Sequence, residues 1–390
     1  MRSSLALLFS IGLLALSEIC CAATAPCAWP LEITGNGPTN IFYPDTNATY
    51  WVMPVDTSTW QSLTATGRYT DSRFFSFTTY YNLRHPAPEV VDDIIDADIA
   101  PDLGSANPFQ SRIVLRGAGR NYTVTFDGNT SGTGNHVQWA TDQTTYIVYR
   151  IYVPDRGLGR KAGAPLPALT LTDMQGNSQV LQKCPAGTGA SELQSLLGSI
   201  TPPPPQTCPT PQPQPTSFTF TANTGGGGVF PNPVTTYVSE RNLCLQTGQI
   251  IVVRGQAANF PDTYNGSSIF RPTLPGPLQV RYWSLCNNKE EFPRPVVACK
   301  ADFDTPLDLQ RFYTFVISTD SSQPTWVPPG VAWLPWGDPS IQNALILRDM
   351  LPEPGFTLTG PYLPTGAFCD PQTFREGGWR ACFAAVTLGV

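Results

Sequence analysis

Two short stretches of the chain place three aspartates at the same spacing. "DADIAPD" carries Asp96, Asp98 and Asp102, and "DFDTPLD" carries Asp302, Asp304 and Asp308. Carboxylates grouped in this way can ligate a hard cation, move protons as a catalytic pair, or neutralise buried cations. The EF-hand template is not met, because that loop needs a glycine at its sixth position and a glutamate at its twelfth. Here Pro101 and Pro306 stiffen the segments and no glutamate follows at the required place. A looser calcium site stays open, and no other cofactor or metal is implied. A glycoside hydrolase would use two such carboxylates, one on each side of the scissile bond. Nothing in the spacing selects one pair from 29 acidic residues, so no catalytic residue is assigned.

The third possibility is structural. Alternate residues of a strand share a face, which puts Arg150 with Tyr146, Val148 and Tyr152, and Arg348 with Ala344, Ile346 and Met350. Arg73 shares its face with Phe75 and Phe77, and Arg281 with Trp283. A guanidinium on an apolar face needs a carboxylate, since an unpaired buried charge is costly. The expected ion pairs therefore join Asp96 or Asp98 to Arg150, and Asp302 or Asp304 to Arg348, each within its own half of the chain.

Other chemistry is weakly represented. No G-x-S-x-G elbow occurs, His85 precedes a proline in a loop, and His136 follows the turn "SGTGN" and reads as a surface residue. "GLGRKAG" leads into prolines, where a dinucleotide fingerprint would lead into a helix. Trp326, Trp333 and Trp336 are aromatics that could stack on sugars but read as packed turn residues.

The elements that must carry these residues are strands. "RFFSFTTY", "NYTVTF", "TTYIVYRIYV" and "PALTLTD" are β-branched and aromatic runs separated by turn residues. "TSFTFTA", "QIIVVRG", "QVRYWSLC", "FYTFVIST" and "NALILRDML" continue the pattern in the second half. "ASELQSLLGSI" reads as a helix capped by Ser191, and "ACFAAVTLGV" as a last strand. The proline tract "TPPPPQTCPTPQPQPT" reads as an extended semi-rigid spacer. The division is 1–22 signal peptide, 27–185 first β-sandwich, 186–216 short helix and Pro-rich linker, and 217–390 second β-sandwich.

Four motifs recur in the same order in both halves. They are Arg73–Phe77 against Arg281–Leu285, then the aspartate triplets, then Tyr122-Thr123 against Tyr313-Thr314, and last Arg150–Pro154 against Arg348–Pro352. The fold class is all-β: two tandem, jelly-roll-like β-sandwich domains from an internal duplication, joined by a Pro-rich linker.

"RYWSLC", "YTFVIS", "AWLPWG" and "LILRDMLP" together resemble uncharacterised secreted and envelope β-domains with an aromatic-Trp-Ser strand, a WLP turn and a closing L-x-L-R-x-x-x-P strand. "YPDTNATYW", "GRYTDSRFFSF" and "DLGSANPF" resemble another set of uncharacterised secreted proteins. The resemblance implies the fold and carries no reaction.

Arg2 followed by a twelve-residue apolar run and small residues reads as a secretory signal that takes Cys20 and Cys21 with it. Eight cysteines then remain, an even number that reads as disulfides: Cys27 with Cys184, Cys208 with Cys244, Cys286 with Cys299, and Cys369 with Cys382. Asn47, Asn121, Asn129 and Asn265 head N-x-S/T sequons and are glycosylation candidates. A net charge of −6 argues against nucleic acid as partner, and no later run is long and apolar enough for a transmembrane segment. The sequence thus predicts a secreted, disulfide-bonded, non-enzymatic extracellular glycoprotein. Its partner would be an extracellular glycan or protein, or its role wall-associated and structural; the alternative is a carbohydrate-active hydrolase using paired aspartates.

Overall fold

The structure, a computed structural model, describes residues 26–83, 89–110, 119–204, 206–209, 217–222 and 229–388. The segment read as a signal peptide, His85 and much of the proline tract lie outside these residues.

Alternation of apolar and polar residues, broken by Gly, Pro and Asn, produces short strands throughout. The first half forms β1 (Leu31–Thr34), β2 (Ala48–Asp56), β3 (Trp60–Arg68), β4 (Ser72–Tyr81) and β5 (Glu89–Ile95). It continues with β6 (Asn121–Asp127), β7 (His136–Gln138), β8 (Thr144–Pro154), β9 (Ala168–Asp173) and β10 (Ser178–Val180). The second half forms β11 (Ser217–Thr219), β12 (Thr221–Ala222), β13 (Thr235–Leu243), β14 (Ile250–Gln256) and β15 (Tyr282–Lys289). It closes with β16 (Val296–Ala301), β17 (Phe312–Ser318), β18 (Ala332–Pro335), β19 (Asn343–Met350) and β20 (Thr365–Cys369).

Each half is a sandwich of two five-stranded sheets. The orders are β1-β2-β8-β4-β5 over β10-β9-β3-β6-β7, and β12-β13-β19-β15-β16 over β11-β20-β14-β17-β18. The correspondence is strand for strand except at β10 and β11, and it extends to the parallel pairs β6·β7 and β17·β18. Register agrees too. Arg150 lies opposite Ser76 and Tyr50, and Arg348 lies opposite Ser284 and Tyr237. Gly67 faces Tyr122 as Gly255 faces Tyr313.

The sandwiches stack on each other, so the protein has four sheet layers. One core lies between the sheets of the first sandwich, around Trp51, Phe75, Phe77, Tyr149 and Phe126. Its counterpart in the second holds Trp283, Leu285, Tyr313, Phe315 and Leu347. A third apolar layer, with Phe74, Tyr152, Tyr282 and Met350, joins the two inner sheets. Strands β4, β8, β15 and β19 are therefore covered on both faces, and β19 is buried at every position.

Three local expectations are corrected. The tail is helical, α2 (Pro371–Leu388), with a kink at Gly378, and not a strand. Its Phe374, Trp379, Cys382 and Phe383 cover Ile250, Val252 and Val316 on the outer face of the second sandwich. Helix α1 spans Thr188–Gly198, and Ser191 lies inside it, donating to the Thr188 carbonyl, so it is no cap. The described part of the linker is docked: Cys208 N–H donates to Ser340 and Gln206 accepts from Gln342 N–H. Four disulfides fasten the fold, Cys27–Cys184, Cys208–Cys244, Cys286–Cys299 and Cys369–Cys382.

Candidate functional site

The repeated aspartates and arginines meet at the seam between the sandwiches. Asp96 follows β5 and Asp302 follows β16, at matching corners of the inner sheets. Each turns one oxygen inward: Asp96 Oδ2 accepts from Phe75 N–H at 2.9 Å, and Asp302 Oδ2 from Trp283 N–H at 3.0 Å. The other oxygen crosses the seam. Asp96 Oδ1 accepts from Arg281 Nη1 at 2.9 Å, and Asp302 Oδ1 from Arg73 Nη1 at 2.5 Å. The arginines are thus exchanged between domains, which corrects the expectation of pairing within each half. Among the described residues, own-domain contact with arginine occurs only in the second triplet, where Asp308 meets Arg254 at 2.5 Å.

Burial and pairing oppose each other here. Desolvation pushes the Asp302 carboxyl up to about 6 against the pull of Arg73, and raises Asp96 against the pull of Arg281. Aromatic faces complete the Arg73 cage, with Phe260, Phe303 and Tyr282 all within 5.8 Å of its guanidinium. Phe303 stacks on Tyr264 at 4.2 Å, and Arg156 covers Tyr264 at 5.3 Å. In the column Arg156–Tyr264–Phe303–Arg73, two arginines of the first domain enclose two rings of the second, and neither ring face of Tyr264 is free to stack on a sugar.

The remaining predicted partners do not pair as expected. Asp98 is exposed, and Asp304 is exposed and bonded to Lys300 at 3.3 Å. Arg150 donates to Thr78, Tyr80 and the Phe230 carbonyl, and Arg348 to the Tyr43 carbonyl at 2.6 Å. Both arginines point into the seam, away from the corners that carry the triplets. The three aspartates of each triplet diverge, so they do not form one ligand set. Among the described residues only Asp45, Cys286 and Cys299 gather closely enough to suggest a metal, and those sulfurs form a disulfide.

The sequence pattern missed several seam residues that lack a repeat. Asp45 is wholly buried and accepts from Asn47 N–H, Tyr282 OH and Ser284 Oγ. Glu290 receives both Arg241 Nε and Nη2, and Tyr43 OH at 2.6 Å. Phe42 and Tyr43 hold left-handed conformations (φ 63° and 58°) while their N–H groups donate to Pro293 and Arg294 across the seam. Such conformations are costly for non-glycine residues and persist only where contacts fix them. Asp45 and Tyr43 stand within or beside "YPDTNATYW", whose density of polar residues between aromatics was the available signal.

A concave trough lies mainly on the first sandwich, with Tyr264 and Phe303 of the second at one end. Hollows of about 240, 580 and 540 Å³ abut through shared Arg160, then Glu32, Trp51 and Lys161, and form one trough. Arg160 contacts Glu32, which also accepts from Trp51 Nε1 at 3.2 Å. The "GLGRKAG" segment forms one bank. Of the sequon asparagines, Asn121, Asn129 and Asn265 are exposed, and Asn47 is half-buried beside the trough. His136 Nε2 lies 2.8 Å from Asp127 at the far sheet. Trp336 is fully buried, and Trp326 and Trp333 are half-buried against neighbours of α2. No helix among the described residues is long and apolar enough to cross a membrane.

No family profile matches the chain, and no curated protein does. The solved structures to which it is similar include two crystal structures. An uncharacterised protein from Burkholderia cenocepacia superposes with a TM-score of 0.54 and 12% identity, over 89% of this chain and 83% of that one. A protein from Vibrio parahaemolyticus gives 0.42 and 10%, over 85% and 92%. At 12% identity the Burkholderia likeness establishes a shared fold and nothing about activity.

Proposed function

We infer that the protein acts outside the cell as a disulfide-braced, glycosylated, non-catalytic binding or wall-associated structural protein whose two sandwiches work as one body. The supporting observation is the crossed pairing of Arg73 with Asp302 and of Arg281 with Asp96. Hydrolytic carboxylates face a water-filled cleft and stand about 5 to 10 Å apart around the substrate. Asp96 and Asp302 instead have no solvent exposure at their side chains and hold guanidinium groups. Their chemistry suits fastening two domains. The trough along Arg160 and Lys161 is the surface on which an extracellular glycan or protein would lie, since binding sites favour concave surfaces with a few convergent polar groups.

A glycan array probed with the mature protein, run beside a reducing-sugar release assay on the glycans bound, tests this reading. Retention without release is expected, and Arg160→Ala with Lys161→Ala should weaken it. Release of reducing ends that is lost in a single aspartate variant would establish the hydrolase alternative. Absence of any retained glycan or protein would leave the structural role.

A further inference from the structure

A narrow cavity of about 30 Å³ runs into the seam between loop 41–44 and strands β2, β8, β13 and β19. Tyr50, Tyr152, Tyr237 and Arg348 line it, with Tyr43 and Phe230. No carboxylate is among its lining residues. We propose that this cavity is a halide site, holding one chloride ion between Arg348 and the tyrosine hydroxyls.

Hydrogen-bond donors at the cavity outnumber the acceptors available to them. Arg348 is 3% exposed, and its Nη2 donates to Tyr43 O while Nη1 has no partner among the described residues. A buried guanidinium nitrogen without an acceptor is costly. Tyr237 OH accepts from Asn232 N–H at 3.1 Å, which leaves its own hydrogen to donate. Tyr50 OH and Tyr152 OH share one hydrogen bond at 2.8 Å, so one of their two hydrogens is uncommitted. The carbonyls of two lining residues are taken, Tyr43 O by Arg348 and Phe230 O by Arg150. The lining therefore offers donors and few acceptors. A water molecule would have to place its own hydrogens on tyrosine oxygens, whereas a halide accepts from all of them. The volume exceeds the roughly 10–15 Å³ that one water-sized occupant needs.

Charge at the seam points the same way. Arg73 meets Asp302, Arg281 meets Asp96, and Arg241 meets Glu290, each in direct contact. Arg348 and Arg150 touch no carboxylate among the described residues. Asp45 acts on Arg348 through space only, with its oxygens already bonded to Asn47, Tyr282 and Ser284, and Asp93 acts on Arg150 likewise. Arg150 is fully buried and lies over the Tyr50 ring at 5.8 Å, Arg348 lies over the Tyr237 ring at 5.9 Å, and both guanidiniums act on Tyr50 and Tyr152 through space. Two of these five seam arginines, Arg150 and Arg348, thus have no carboxylate in contact, and a monovalent anion at Arg348 Nη1 supplies the missing acceptor there.

Crystals of the mature protein soaked in sodium bromide, with data collected at the bromine edge, test the site. An anomalous peak between Arg348 Nη1 and Tyr237 OH is expected. In parallel, melting temperature should rise saturably with sodium chloride but not with sodium gluconate at equal ionic strength. Tyr237→Phe, which keeps the ring and removes one donor, should raise the half-saturating chloride concentration about tenfold, equivalent to one lost hydrogen bond of ordinary strength. Equal melting temperatures in the two salts, or a map without the peak, would overturn the proposal. So would a peak accompanied by no halide-specific stabilisation, which marks an adventitious ion only. If Tyr237→Phe does not fold, the native bromide map and the salt comparison decide.

Discussion

Arg73 of the first sandwich and Asp302 of the second stand 2.5 Å apart, both without solvent exposure at the side chain, and Arg281 and Asp96 repeat the relationship in the opposite direction. The two contacts are related as the halves of a symmetric dimer interface are, where each partner gives what it receives. Breaking a buried pair leaves an uncompensated charge. Asp302→Ala is therefore expected to lower stability by about 3–5 kcal/mol, and Arg73→Met with Asp302→Leu together by less than the two single changes combined. Asp98→Ala and Asp304→Ala, at exposed positions, should stay within about 0.5 kcal/mol. Urea titration of these variants, with Arg73→Met and Asp302→Leu alone for comparison, decides; equal losses at Asp302 and Asp304 would dismiss the crossed pairs as the fastening element.

Asp349 presents a different balance. It faces the second core opposite Trp283, and its Oδ2, Trp283 Nε1 and Tyr313 OH are all buried without partners among the described residues. Burial first, then the Asp302 charge, pushes its carboxyl up from 3.8 to about 8. The folded state thus holds this proton more tightly than the unfolded chain. Its contribution to stability is greatest at or below pH 3.8, declines as pH rises towards 8, and is lost above that. Asp349→Asn keeps the shape and removes the titration, so its stability relative to the parent should grow with pH across that window. A gain on the order of 1–3 kcal/mol at pH 9 is expected. A parent-to-variant difference that does not change between pH 4 and pH 9 in chemical unfolding would contradict the assignment.

The duplicated glycines give a test of structural equivalence. A Cβ on Gly67 would lie 2.6 Å from the Tyr122 hydroxyl, and one on Gly255 would lie 2.4 Å from that of Tyr313. In both places an aromatic ring from the neighbouring strand covers bare backbone, a recognised way to support glycine in a sheet. Alanine at either position should cost about 1–3 kcal/mol through forced displacement of the ring. Thermal unfolding should show losses of similar size, and a neutral result at one glycine alone would show that the halves use the motif differently.

Helix α2 covers apolar residues of the second sandwich that have no equivalent need in the first. Ile250, Val252 and Val316 lie under it, the Cys369–Cys382 bridge pins it, and Arg254 sits 4.1 Å from the Trp379 ring. A bridge closing so short a loop is worth about 3 kcal/mol by chain entropy. Replacing both cysteines with serine should lower the unfolding midpoint and increase binding of an apolar-surface dye. An unchanged dye signal would show that the helix stays docked by packing alone.

Much of this architecture could be read from the chain because its causes are local. Alternation and turn chemistry set the strands, and the ordered recurrence of Arg73–Phe77 at Arg281–Leu285 already identified strands that occupy the same place in each sandwich. The tail misled for the same reason. "ACFAAVTLGV" is short, apolar and compatible with either state, and the Cys369–Cys382 tether and the apolar sheet beneath it select the helix. The arginine faces were also legible, since a guanidinium among Tyr146, Val148 and Tyr152 demands acceptors. Which acceptors was settled only when one sandwich docked on the other. Spacing within a domain fixes where Asp96 and Arg73 stand on their own sheet, but not what the outer face of that sheet meets. Shape and charge complementarity over the whole seam brought Asp302 to Arg73, Asp96 to Arg281 and Phe230 to Arg150, and no single strand encodes that fit.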